Sequence, residues 1–379
     1  MQHSKKITIV YIITKLELGG AQKVCLSLFQ GIHSDTVNTY LISGNEGLLA
    51  HTLHNKKNIE LLDTFKNSLS LKNIVQEFRN FFKIIKKLRA IKKEHGTVFV
   101  HTHSSKAGII GRWAAFFAGI KKRVHTVHGY ALHPHLNYIT WISFYLAELL
   151  TSFITTHYIC VSSEDVKTGI KLFPRFAKKH SIIRAAIELE QFLPLEEKQY
   201  SPSKKIFTFG TIACFKPQKN IFDLLQAFKN VHTLYPESTL EIIGDGQMRT
   251  AIEAWITHNK LTGIVILHGW QEDVAPLMKQ WDCFVLSSLW EGLPCAIVEA
   301  RLLKLPVISY DTGGIKDIIF HGQNGLLIPQ KDVERLAHAM ERIINDKDLH
   351  AAFSTYNDNL SDFDNNIMIQ NHQDLYFRL

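Results

Sequence analysis

Leu289-Trp290-Glu291-Gly292-Leu293-Pro294-Cys295-Ala296-Ile297-Val298-Glu299-Ala300 follows an apolar run at 283–286 that reads as a buried parallel strand. Gly292 and Pro294 punctuate the turn. Pro294 stands where a helix begins, since its fixed φ suits the first turn and its missing N–H is not needed there. Glu291 then lies on a strand-to-helix loop, and Glu299 about a turn into the helix. In an open α/β sheet, ligands bind beyond the carboxyl ends of the strands, where a helix N-terminus attracts phosphate. A carboxylate on each side of those amides suits a ligand with hydroxyls on both sides of a diphosphate. Taken alone, the pair reads equally well as one solvated helix residue and one charge favoured by the helix dipole. Two later segments shift the balance: Asp311-Thr312-Gly313-Gly314-Ile315 and Asn324-Gly325-Leu326-Leu327-Ile328 follow at the spacing of successive strand–loop–helix units. Their glycines mark close backbone approach or positive φ.

Residues 291–299 match the E-x7-E motif, and the chain resembles the retaining glycosyltransferases of GT-B fold, glycosyltransferase family 4 (group 1) type. Gly19-Gly20-Ala21-Gln22 resembles the family's N-terminal glycine loop. His101-Thr102-His103-Ser104-Ser105-Lys106-Ala107-Gly108, Thr126-Val127-His128-Gly129 and Val161-Ser162-Ser163 follow in the family's order. Pro217-Gln218-Lys219-Asn220, Ile243-Gly244-Asp245-Gly246 and His268-Gly269 precede the glutamates. Short glycine motifs recur by chance; their shared order is what carries the resemblance.

The organisation agrees. Apolar strand-like runs at 7–13, 39–42, 98–100, 124–127, 158–161 and 182–184 alternate with helical patterns, and strands resume at 206–211, 240–243, 265–267, 284–286, 307–309 and 326–328. Alternation of this kind implies βαβ units and parallel sheets. The expected fold class is α/β, with two Rossmann-like domains facing each other across a cleft. The polar stretch 195–205, with Pro202 and mixed charges, is the expected linker. The expected domains are residues 1–198, binding acceptor, and 199–359, binding a nucleotide-sugar, with a helix within 360–379 returning to the first.

A chain of 379 residues accommodates two cores, and 46% hydrophobic with 21% charged residues is ordinary for a globular protein. Five scattered cysteines without C-x-x-C spacing suggest reduced thiols in a cytoplasmic compartment. Twenty histidines form no metal-binding pattern; His101 and His103 are read as facing different ways along a strand, and no metal is expected. The run 7–13 lacks a following cleavage site and reads as a first strand rather than a secretory signal. The apolar run 139–161, interrupted by Glu148, reads as a buried helix leading into a strand, and no transmembrane segment is expected.

Residues 1–198 hold 27 Lys and Arg against 14 Asp and Glu, net +13, leaving the remainder at −5. In the helical pattern at 71–93, Ile74, Phe78, Phe81, Ile85 and Leu88 form an apolar stripe expected to face the core. Lys72, Arg79, Lys83, Lys86 and Lys87 form the opposite face, and Lys121-Lys122-Arg123 adds to the basic surface. An anionic membrane surface bearing a lipid-linked acceptor is the expected partner, with the protein peripheral on the cytoplasmic face. Nucleic acid is not expected, since no stacking platform or docking motif accompanies the charge.

The resemblance implies the site. Lys219 meets the diphosphate, Glu291 binds hydroxyls of the transferred sugar, and Glu299 binds those of the ribose. His128 lies near the reaction centre, with His103 and Lys106 on the same wall. Gly244, Asp245, Gly246 and Gly269 line the base pocket, and Gly19 and Gly20 approach the distal phosphate. Gly292, Leu293 and Pro294 form the turn between the glutamates. The family commonly carries Arg where this chain has Cys214, and Lys216 is the candidate replacement; Arg184-Ala185-Ala186 stands where the family often has Pro-Asn-Gly. The implied reaction is retaining, metal-independent glycosyl transfer without a cofactor. The donor is a nucleoside-diphosphate sugar, UDP favoured and GDP the other candidate; the acceptor is a glycan or lipid-linked, in surface polysaccharide synthesis. A nucleotide-sugar epimerase of the same plan and a non-catalytic sugar-nucleotide binder are the alternatives.

Overall fold

The computed structural model describes residues 6–17, 19–51, 53, 58–63, 71–132, 136–192 and 206–379; of residues 48, 51 and 71–74 the backbone alone is described. The linker expected at 195–205 falls outside these residues. The chain divides into two compact units, Met1–Ala186 with Asn365–Leu379 and Ile187–Asp364.

Unit 1 carries strands β1 (Ile7–Ile13), β2 (Val37–Gly44), β3 (Ile59–Leu62), β4 (Val98–His103), β5 (Lys122–Val127), β6 (His157–Cys160) and β7 (His180–Ile182). Its helices are α1 (Gly20–Gly31), α2 (Leu48–His51), α3 (Leu71–His95), α4 (Ser105–Phe117), α5 (Tyr138–Ile154) and α6 (Ser163–Leu172). The sheet order is β3-β2-β1-β4-β5-β6-β7, with every neighbouring pair parallel. Six of the seven residues of β1 are buried, as befits a strand with helices over both sheet faces.

Unit 2 carries β8 (Phe207–Ile212), β9 (Ser238–Ile243), β10 (Val265–Gly269), β11 (Cys283–Leu286), β12 (Val307–Tyr310) and β13 (Gly325–Ile328). Between them run α7 (Ile221–Leu234), α8 (Arg249–His258), α9 (Ala275–Met278) and α10 (Cys295–Leu302), and after β13 come α11 (Val333–Asn345) and α12 (Lys347–Thr355). The order β10-β9-β8-β11-β12-β13 repeats the doubly wound plan, again all parallel. In each unit the order reverses between the first strand and its neighbour, β1 and β4 or β8 and β11. That switch point opens a crevice at the carboxyl ends.

The last helix, α13 (Asn365–Arg378), belongs to unit 1 and packs on α1. Tyr376 holds it to the sheet, its hydroxyl 3.3 Å from that of Tyr11 and hydrogen-bonded to His101. The chain changes units at 186/187 and 364/365 rather than at 198/199 and 359/360. The two passages lie side by side, Ile187 N donating to Phe363 O at 3.0 Å.

Four expectations are corrected. Strand β3, at the sheet edge, was not anticipated: its strand partner is β2, and Leu62 alone of its four residues is fully buried. On α3, Ile85 and Leu88 are buried, but Phe78 is 62% exposed and does not face the core. Helix α5 buries Glu148, Thr151 and Ser152 while Ile139, Leu146, Leu150 and Phe153 are exposed, so it is not a buried helix. His101 and His103 face the same way, with ring centroids 4.4 Å apart, because two residues complete one strand period.

Candidate functional site

In unit 2 the segments after β8 and β11 are sewn together at the switch point. Pro217–Lys219 forms one 3-10 turn and ends at Asn220, a non-glycine residue in the left-handed region at φ 47°. Ser287 holds that turn by donating to the carbonyls of Lys219 at 3.1 Å and Asn220 at 3.0 Å. Gln218 Nε2 donates to Trp290 O at 2.7 Å, and Leu289 N donates to Gln218 O at 2.8 Å. These bonds fix the two loops so that the Lys219 ammonium forms an ion pair with the Glu291 carboxylate. Both side chains are largely buried, at 19% and 9% exposure. Removing one partner of such a partly desolvated pair costs more than at the surface, because it leaves the other charge uncompensated.

A third loop, after β12, locks Glu291 from behind. Thr312 Oγ1 donates to Leu289 O at 3.1 Å and Gly314 N to Gly292 O at 2.7 Å. Gly313 takes φ 53°, and a Cβ there would sit 2.0 Å from the Glu291 carbonyl oxygen. Gly292, Leu293 and Pro294 are buried, and Pro294 occupies the N-cap of α10 rather than its first turn. Glu299 is buried in the middle of α10, one turn after Cys295.

Beyond β9, Gly244 takes φ 132°; a Cβ would lie 2.1 Å from Ala213 O. Gly246, at φ 156°, is similarly pressed against Phe215. Asp245 accepts from Gly246 N at 2.7 Å and pairs with Arg249 at 2.9 Å. Gly244 N donates to Gly269 O at 2.8 Å, which joins the two predicted base-pocket segments. Gly269 needs its φ of 69°, though the space around it is open. Lys216 caps the Lys219 turn, its carbonyl accepting from Lys219 N at 3.0 Å, and Cys214 O accepts from Lys216 N at 2.7 Å.

In unit 1 Gly19 is the N-cap of α1 in extended conformation, and Gly20 is its first residue. Lys106, in the first turn of α4, pairs with Glu77 on α3. His128 follows β5 and lines a cavity of about 220 Å³ together with Ala21, Ser104, Tyr130, Phe144 and Glu148. His103 is fully buried and is not among the lining residues; its Nδ1 lies 3.0 Å from His128 Nε2. Burial pushes both imidazoles well below the ordinary histidine value, His128 to about 3.

Several side chains at these sites went unrecognised. Ser104 sits at φ 60°, ψ 152°, a region nearly reserved for glycine, and is held there by Thr14 Oγ1 at 2.6 Å and by its carbonyl bond from Gly108 N at 2.7 Å. No letter in the sequence signals that strain. Arg112, fully buried, grips Glu148, a residue of the cavity lining, through two bonds of 3.0 and 2.9 Å. Ser287 and Gln218 also escaped notice, although Gln218 lies within a quoted motif. Among the described residues, no group of three His, Cys, Asp or Glu is placed to hold a metal ion.

Comparison with known proteins places this geometry in context. The family described as "Glycosyl transferases group 1" matches residues 194–360, and "Glycosyltransferase Family 4" matches residues 18–191. The chain is 31% identical over 357 residues to the Escherichia coli UDP-Gal:alpha-D-GlcNAc-diphosphoundecaprenol alpha-1,3-galactosyltransferase, covering 92% of this chain and 90% of the relative. It is 26% identical over 295 residues to the capsular polysaccharide biosynthesis glycosyltransferase CapM of Staphylococcus aureus, covering 74% and 76% of the two chains. The fold resembles that of Anabaena HepE, solved with UDP and glucose, at a TM-score of 0.79 and 19% identity, covering 98% of this chain and 100% of that one. Two doubly wound units and these full-length matches together show that the chain is a GT-B glycosyltransferase belonging to the group 1, family 4 type.

Proposed function

We propose that the protein transfers a hexose from a UDP-sugar to a lipid-linked acceptor, with retention at the anomeric carbon and without a metal ion. The observation that carries this reading is the Lys219–Glu291 pair, fixed by three loops beside the N-terminus of α10. Lys219 takes up charge on the departing diphosphate as a point cation, helped by the helix amides. Electrostatic stabilisation of this kind is usually the largest catalytic term. Glu291 orients hydroxyls of the sugar, Glu299 those of the ribose, and the Gly244–Gly246 and Gly269 backbone faces the base. Asp245 and Lys216 complete the donor set in unit 2, and in unit 1 His128 lines a cavity assigned to the acceptor. No side chain is assigned as nucleophile. The leaving phosphate oxygen receives the acceptor's proton, and attack comes from the same face.

The relatives support the substrate classes. One is named for UDP-Gal and a diphosphoundecaprenol-linked acceptor, another for capsular polysaccharide synthesis. Five cysteines, none of them in a disulfide, fit a reducing compartment, which favours the cytoplasmic side. An exposed aromatic surface on unit 1 is consistent with a lipid-linked acceptor. Phe78 and Phe82 of α3 and Phe116 and Phe117 of α4 are exposed, and Phe81 meets Phe82 and Phe117 edge-on. Arg89 and Lys92 reach from α3 to the carbonyls of Phe117 and Gly119 at the end of α4.

The test is transfer from UDP-Gal to GlcNAc-diphosphoundecaprenol, with the product anomer read by NMR. Lys219→Ala and Glu291→Ala should each lower turnover by about 10²–10³ while leaving the fold intact. EDTA should leave the rate unchanged. Near-native rates in both variants, a β-linked product, or activity restored only by added Mg²⁺ would each reject the corresponding part.

A further inference from the structure

His103 sits on the site's wall in sequence, yet the fold puts it out of a ligand's reach. Its ring is fully buried on β4, flanked by Tyr11 at 6.1 Å and His101 at 4.4 Å between centroids. Its Nδ1 faces His128 Nε2 at 3.0 Å, while its Nε2 is buried with no hydrogen-bond partner among the described residues.

These contacts leave two arrangements of protons between two neutral rings. If His128 donates from Nε2, the proton of His103 falls on Nε2 and an N–H is stranded in the core. If His103 donates from Nδ1, what remains unpaired is a bare ring nitrogen. Orphaned buried N–H groups are rarer than under-used acceptors, so the second arrangement is favoured. We propose that His103 is a positioning residue that fixes the tautomer of His128, so that His128 presents Nδ1–H to the cavity as a hydrogen-bond donor. The proposal deepens the proposed role of His128 and rests on that reading.

The surrounding structure holds the arrangement in place. Ser104, immediately after His103, is kept in its strained conformation by Thr14 and Gly108. His101, its ring tilted against that of His103, is occupied by Tyr376 and by Thr126 Oγ1 at 2.6 Å, so it does not compete for His103. Gly129, at φ 94°, turns the chain directly after His128. With its Nε2 lone pair engaged, His128 cannot serve as a proton acceptor there. It acts on ligand oxygen as a neutral N–H donor, which suits a carbohydrate hydroxyl or ring oxygen rather than an acid to be deprotonated.

Two-bond ¹H–¹⁵N spectra of the full chain, labelled at histidine, read the tautomer directly; His128→Gln assigns the signal. The expected wild-type pattern is protonation at Nδ1 of His128, and protonation at Nε2 overturns the proposal whatever the variants do. His103→Asn keeps a donor near the Nδ1 position and should retain both the pattern and close to wild-type transfer. His103→Phe removes the donor; the proton should redistribute towards Nε2, and kcat/KM should fall about tenfold to a hundredfold, the scale of a misplaced active-site group. Equal impairment of the two variants, or an unchanged spectrum in His103→Phe, refutes the positioning role. If the wild-type chain transfers no sugar, the proposed function fails while the spectrum still decides the tautomer.

Discussion

Gly313 shows how a residue without a functional group controls one that has it. Any side chain there must enter the left-handed region, at a cost of roughly 1–2 kcal/mol, and meet the Glu291 carbonyl. Backbone is the obstacle, so neither partner has a cheap escape. Gly313→Ala should therefore lower stability by at least about 1–2 kcal/mol and depress turnover further than that loss explains, because Glu291 is displaced from Lys219. Urea melts and kinetics on the same preparation check this; a stable variant with native kcat would show that the loop does not hold Glu291. At this scale the sequence is readable in part. The glutamates and Lys219 stand out by spacing and by the glycines around them. Their pairing does not, since it joins positions 72 apart through hydrogen bonds from Ser287 and Gln218 that no local pattern announces. Ser104 is unreadable for a different reason: its strain belongs to the backbone and is imposed by Thr14, far away in the chain.

Among the elements, the strands of both sheets are legible because each is a short apolar run bounded by turn residues. β3 is the exception, a four-residue edge strand interrupted by Glu60, of which Leu62 alone is fully buried. Helices mislead where periodicity says which residues share a face but not what that face meets. Phe78 lies on the stripe of α3 with Leu88, yet one is exposed and the other buried. Histidines on β4, on and just after β5, and on α13 make a further prediction. Burial, the largest cause for each, lowers His101, His103 and His125 well below the ordinary value and brings His128 to about 3 and His372 to about 4. The unfolded chain titrates them near 6.5 (roughly the model-peptide value) and so binds more protons than the folded chain in the interval below. Stability rises with pH wherever the unfolded state binds more protons. The contribution is complete above about pH 6.5 and should be lost progressively as the pH falls towards the depressed values. Urea unfolding at stepped pH should show a falling midpoint between about pH 6.5 and 5, before most carboxylates titrate. A flat midpoint over that range would mean the rings are already solvated.

For the whole molecule, two units of like topology carry unlike charge and unlike surfaces. Unit 2 brings Lys219, Ser287, Glu291 and Thr312 together beyond the carboxyl ends of β8, β11 and β12, whereas α3, α4 and α5 of unit 1 present aromatic and aliphatic side chains outward. The helices form a joined surface. Phe116 and Phe117 meet edge-on, Arg123 lies 5.5 Å over Phe116, and Trp113 donates to Thr151 Oγ1 on α5 at 3.0 Å. Exposed Lys83, Lys86 and Lys121 are nearby in sequence, and basic residues near an anionic bilayer are worth about 1 kcal/mol each. The attachment proposed for this surface is interfacial, and no described helix is long and apolar enough to cross a membrane. Liposomes containing anionic lipid should sediment the protein at low salt, and raising salt should weaken but not abolish binding, because the aromatic contribution is not screened. Replacing Phe116 and Phe117 together by Ser should remove the salt-resistant part; replacing Lys121 and Lys122 by Gln should remove part of the salt-sensitive one. Binding that vanishes entirely with salt would leave the aromatic face without a membrane role, and no sedimentation at low salt would dismiss the surface altogether.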